Sequence, residues 1–185
     1  MDISNIVLVL LVSFSLLAFF DGIVLHLWKY QLYRYSDTIY EHILHSLRAT
    51  LFPMLLLGLF LYDLQGPLFL GVIFLTFVDL VIQGFDMWEE YKARKRFGGL
   101  SSLEYILHVV LSSLHTSMIL LYIISKPEQA WNFAGSTFFA ASPNEYLVAL
   151  NLLPGAVIVA LLHWILALPA FRKTEISFST REEKI

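Results

Sequence analysis

The sequence has no cysteine, and only 15% of its 185 residues are charged. The first absence excludes a disulfide framework, a thiolate metal site and a cysteine nucleophile, leaving His, Asp and Glu to carry any chemistry. The second sets the chain apart from soluble domains, which run about 25% charged and roughly 45–50% apolar. Here 58% of residues are hydrophobic and the mean hydropathy is +0.70. A net charge of −3, with no broad basic face, excludes nucleic acid as a partner. Aromatic residues make up 15% of the chain, which excludes intrinsic disorder.

What is there is a set of five apolar runs, each long enough to cross a bilayer. They cover about 6–33, 38–62, 67–95, 101–125 and 146–171, within a single transmembrane domain 1–172 followed by a polar tail, 173–185. The first run opens with uncharged residues, lacks a basic n-region and a small-residue cleavage site, and reads as a retained helix. Ser36 or Asp37 is the expected cap of the second helix, and Ser101 or Ser102 of the fourth. Pro53 and Pro154 fall inside runs, which membrane helices tolerate. The segment between runs four and five carries Trp131, Phe133, Phe138 and Phe139 and is expected to lie at the membrane interface.

The expected fold class is therefore all-α and integral to the membrane, with helices 1–4 forming a pseudo-twofold four-helix bundle of two hairpins. Of the twelve Lys and Arg residues, all but Lys126 fall on the side of the 1–2 turn, the 3–4 turn and the C-terminus. The positive-inside rule then predicts an outside N-terminus and a cytoplasmic C-terminus in a membrane of the bacterial plasma-membrane type.

Ionisable groups inside spans cost roughly 2.5–3.5 kcal/mol each on insertion scales and usually mark function. Helix one carries Asp21 and His26; helix two Glu41, His42, His45 and Arg48; helix three Asp79, Gln83, Asp86, Glu89 and Glu90; helix four Glu104, His108 and His115. Counting about 1.5 Å per residue from the cytoplasmic turns, His26, Glu41, His45, Asp86, Glu90, Glu104 and His108 fall in one layer. Asp21, Arg48, Asp79, Gln83 and His115 form a deeper one. Glu41/His45 and Glu104/His108 are i,i+4 pairs, so each projects from one face. Asp79, Gln83, Asp86 and Glu90 make a single stripe. Asp21 and His26, five apart, sit about 140° around an α-helix, so the two need not point at one spot.

The run Glu41-His-Ile-Leu-His45 is repeated as Glu104-Tyr-Ile-Leu-His108, each just after a cytoplasmic turn. Two hairpins that each supply such a pair follow the logic of carboxylate-bridged dimetal bundles, although those space the pair i,i+3. The upper layer (His26, Glu41, His45, Asp86, Glu90, Glu104 and His108) is accordingly the expected metal ligand set. Asp21, Arg48, Asp79 and His115 are expected as outer groups or a proton relay. Imidazole and carboxylate donors suit two iron ions, with zinc or manganese as alternatives. Haem held by histidines would leave the carboxylates without a role.

The run Phe20-Asp21-Gly22-Ile23-Val24-Leu25-His26-Leu27 resembles a motif of an uncharacterised family of predicted bacterial integral membrane proteins, which carry a similar F-D-G-x-V-L-H-Q run in an early helix. The likeness spans eight residues, with Leu27 in place of that family's polar residue. The resemblance implies that Asp21 and His26 act together and brings no activity with it.

Plainer roles compete with these. Asp21 with Arg48, and Asp79 with His115, would serve as intramembrane ion pairs. Glu89, Lys92, Arg94, Lys95 and Arg96 read as a solvated helix end. His42 points off the Glu41/His45 face, and His163, alone on helix five, reads as a hydrogen-bonded structural residue; whether His42, Glu89 and His163 belong to the site is left open. The function expected is a membrane-embedded non-haem dimetal oxidoreductase or oxygenase acting on a lipophilic substrate, served by an electron-donor protein. The alternatives are an intramembrane zinc hydrolase, a metal or proton transporter, or an accessory subunit of a respiratory complex.

Overall fold

The computed structural model describes residues 2–173; the tail 174–185, with Arg181 and Lys184, lies outside the described residues. The chain is all-α, about 81% helical, and has five helices long and apolar enough to cross a membrane. α1 (Ile3–Phe19) runs on without a break as a π-helical stretch, Phe20–Lys29. α2 (Ile39–Leu55) likewise widens into π-helix over Leu56–Leu61, just beyond Pro53, which removes a backbone donor from the helix interior. α3 (Pro67–Ala93), α4 (Ser102–Ser125) and α5 (Pro143–Leu166) complete the set.

The first helix is shorter at its C-terminal end than the apolar run predicts. It stops at Lys29, and Gln31 turns the chain with φ 51° into a short 3-10 turn, Leu32–Arg34. Thr38 caps α2 in place of Ser36 or Asp37, with its hydroxyl donated back to the Leu32 carbonyl at 2.5 Å. Ser101 caps α4, accepting from the Glu104 amide. α5 begins earlier than expected, at Pro143, because Ser142 and Glu145 form a reciprocal capping box. Two short strands were not expected. β1 (Tyr62–Gln65) and β2 (Thr137–Ala140) pair antiparallel, in the register Tyr62 to Ala140, and tie the segment before α5 to the end of α2.

α1 packs along α4, and α2 along α3 and α5. Leu11, Leu56, Phe60, Phe69, Met118 and Tyr122 belong to one apolar core towards the N-terminal end of α1. The opposite half of the same helices is filled by buried polar side chains. Leu16, Phe74 and Ile158 are 66%, 63% and 64% exposed, a surface suited to lipid tails and not to water.

Candidate metal centre

The polar half is organised by one arginine. Arg94 is 0% exposed, which corrects its assignment to a solvated helix end. It continues the buried stripe of α3 at i,i+4 from Glu90, which is the signal that could have found it. Its Nη1 donates to both Glu41 oxygens at 3.0 and 2.9 Å, and its Nε to Glu104 Oε1 at 2.7 Å. Nη2 lies 3.2 Å from His26 Nε2 and 3.8 Å from Glu90 Oε1. The guanidinium also covers the Tyr30 ring at 4.5 Å, while the Tyr30 hydroxyl donates to Glu104 Oε2 at 2.5 Å. Burial and that carboxylate raise the Tyr30 pKa above its ordinary range. The two glutamates of the internal repeat thus perform one symmetric task, holding Arg94 from two helices.

The two histidines of the repeat do the same for Asp21. His108 Nε2 lies 3.2 and 3.3 Å from the two Asp21 oxygens, and His45 Nε2 lies 4.0 Å from Asp21 Oδ2. Their other ring nitrogens face carboxylates of α3, with His108 Nδ1 2.7 Å from Glu90 and His45 Nδ1 3.4 Å from Asp86. His26 Nε2 stands 3.7 Å from Asp21 Oδ1 and 3.8 Å from Glu41 Oε1. Asp21 and His26 meet because the segment that carries them is π-wound. A wider turn brings residues five apart closer to one face than an α-helix does, and such turns recur at functional sites.

Asp21, His26 and His45 each offer a donor atom within 4.8 Å of the others. Ligand bonds of about 2.0–2.2 Å put donors on one ion about 3.0–3.4 Å apart, so a small contraction would close the group on a cation. Asp21 Oδ1, Asp86 Oδ1, Glu90 Oε1 and the Nδ1 atoms of His26, His45 and His108 are buried without a hydrogen bond. The 2.7 and 3.4 Å contacts to Glu90 and Asp86 are therefore close charge contacts without hydrogen-bond alignment. Buried polar atoms in this number call for a ligand, because nearly all such groups in folded proteins are paired. The charge balance points to its sign: among the described residues, six buried carboxylates (Asp21, Glu41, Asp79, Asp86, Glu90 and Glu104) meet two guanidiniums, Arg48 and Arg94, and otherwise histidines.

Arg48 pairs with Asp86 at 3.2 Å and approaches Asp79 at 3.7 Å, with Gln83 Oε1 accepting from Nη2 at 3.1 Å. It does not pair with Asp21, contrary to the simple ion pair expected. Asp79 does stand 3.5 Å from His115, whose Nδ1 is 3.1 Å from Gln83 Oε1 and whose ring stacks on Phe14. Glu89 lies apart, paired with Lys92 at 2.8 Å on the outer face.

His42 is fully buried and its Nε2 contacts the His163 carbonyl at 3.0 Å. His163 stacks between His42 and His45, with ring centroids 5.3 Å from each, and neither of its ring nitrogens is hydrogen-bonded. The expectation of a hydrogen-bonded structural histidine is thereby corrected. Sequence spacing gave no signal for it, since α5 has no repeat partner.

Two spaces border the donor group. A void of about 20 Å³, room for one water or one ion, is lined by His26, Glu41, Asp86, Glu90 and His108 among others. On the other side, an open cavity of about 280 Å³ is lined from all five helices, with Asp21, His45, Arg48, Asp79, His115, Asn151 and His163 among its polar residues and the rest mainly apolar. Gly22 lies close under both rings: a Cβ there would come 3.3 Å from His45 Nε2, a tight contact, and 3.5 Å from His163 Nε2, an ordinary one. Comparison with protein-family models, with curated proteins and with solved structures found no match.

Proposed function

We propose that the chain spans a membrane five times, N-terminus outside and C-terminus in the cytoplasm, with helices 1–4 as two hairpins about a pseudo-twofold axis. Within that bundle it holds a divalent metal ion, iron before zinc or manganese, on Asp21, His26, His45 and His108. That ion would serve to oxidise a lipophilic substrate, with dioxygen as the oxidant and an electron-donor protein supplying the reducing electrons. The observation that carries the reading is the donor group itself, a carboxylate and imidazoles drawn together at the end of an apolar cavity. Within it Asp21, His26 and His45 are the carboxylate and two histidines that non-haem iron oxygenases use, and His108, 3.2 Å from Asp21, adds a further imidazole.

Asp86 and Glu90, against the outer nitrogens of His45 and His108, are then the groups that orient the ligand rings and raise their basicity. The pair of ions indicated by the repeat narrows to one, because Glu41 and Glu104 are engaged by Arg94. A single ion equally favours the second reading, an intramembrane zinc hydrolase, in which metal-bound water attacks the substrate.

Elemental mass spectrometry and an optical spectrum of the detergent-purified protein separate these readings. One iron per chain without a haem band, lost in the Asp21→Asn/His45→Gln variant, is the expected result. One zinc moves the assignment to the hydrolase. Wild-type protein without metal, after purification and after reconstitution with ferrous iron and with zinc, overturns both.

A further inference from the structure

The cavity floor holds a polar group that metal binding leaves unused. His163 is fully buried, both its ring nitrogens lack a hydrogen bond, and its Nε2 faces the bare side of Gly22 next to His45 and Asp21. Above this floor the walls are Phe14, Leu16, Phe19, Phe52, Leu152 and Val159. Leu16 and Phe19 on the rim are 66% and 55% exposed on the outer, lipid-suited surface, so the mouth opens sideways and not to water. We propose that the cavity is the binding site of a single-chain lipid with an uncharged oxygen head group, an alcohol or aldehyde. Its oxygen sits against His163 beside Gly22, and its chain lies between α1 and α5.

The proposal deepens the reading above by naming the substrate class of the same site. Its chemistry follows from what surrounds the floor. Asp21 and Asp79 line the cavity, and the one guanidinium there, Arg48, is already paired with Asp86. A carboxylate or phosphate head would add to an existing excess of negative charge. An ammonium head would meet Arg48 beside Asp79 and His45 beside Asp21, both of which line the same cavity. A hydroxyl or carbonyl oxygen meets neither obstacle, and a neutral imidazole can donate to it or accept from it. The cavity volume of about 280 Å³ suits one chain and not a two-tailed lipid.

The test is binding of tritiated dodecan-1-ol to the full chain in nanodiscs, by scintillation proximity, with dodecanoate and dodecylammonium as competitors. Saturable binding that neither charged competitor displaces is expected. His163→Leu should weaken it by about tenfold, the value of one buried hydrogen bond, and His163→Gln should restore most of the loss. Ala156→Phe, which fills the cavity from α5, should abolish it. The His26→Gln/His108→Gln chain, altered at ligands that do not line the cavity, should keep it. Failure of the metal reading would therefore leave this result standing. Equal competition by dodecanoate or dodecylammonium, or binding unchanged in both His163→Leu and Ala156→Phe, overturns the proposal.

Discussion

Replacing Arg94 by methionine should be the most damaging single change in the polar half of the molecule. Methionine keeps the volume and helix propensity of the stem but removes the cation that neutralises Glu41, Glu104 and, at longer range, Glu90. Breaking a buried ion pair from one side typically costs about 3–5 kcal/mol, since the abandoned charge stays in a poorly solvated place. For a chain of this length each kcal/mol shifts Tm by about 2–4 °C, so the expected loss is roughly 6–20 °C. The assay is thermal unfolding of the detergent-purified protein, followed by fluorescence-detected size exclusion. Arg94→Lys should recover only part of the loss, because an ammonium cannot match the forked contacts to two carboxylates. Arg94→Met combined with Glu41→Gln and Glu104→Gln should recover more than Arg94→Lys, as it removes the two carboxylates nearest to the lost guanidinium. If Arg94→Met alone stays within about 2–4 °C of wild type, the guanidinium is not the hub of this half of the molecule. Glu41 and Glu104 would then return as metal ligands.

Three further outcomes follow from the geometry. Asp86→Asn and Glu90→Gln should each lower metal affinity by about 10–100-fold, read by chelator competition, while leaving the Asp21 donor group in place; unchanged affinity in both would remove the orienting role of α3. Gly22→Ala should reduce metal occupancy at wild-type expression level, because the added methyl comes 3.3 Å from His45 Nε2 and that ring must give by a few tenths of an ångström; full occupancy would mean that the His45 ring shifts without cost. Ser142→Ala should cost about 1 kcal/mol through loss of the capping box, seen as a Tm decrease of a few degrees with metal content unaltered.

The sequence by itself determined the five apolar helices, the turns after the first and third of them and the existence of a shared polar layer. Each of these depends on local quantities: run length, the 3.6-residue period and distance along the chain from a turn. It also showed that the repeat Glu41/His45 and Glu104/His108 would share roles, though not that the glutamates would face Arg94 and the histidines Asp21. Only the tertiary structure decided that division, because a guanidinium at the end of α3 reaches across to α2 and α4 and claims the carboxylates nearest to it. The π-winding of Phe20–Lys29 was invisible for a related reason: helix type at that point is settled by neighbouring side chains, and an α-helical count separates Asp21 from His26. His163 enters the site from α5, more than a hundred residues along the chain from the first two helices. No periodicity within one segment carries information about which other segment packs against it, so the partners of buried polar groups are set by the packing alone.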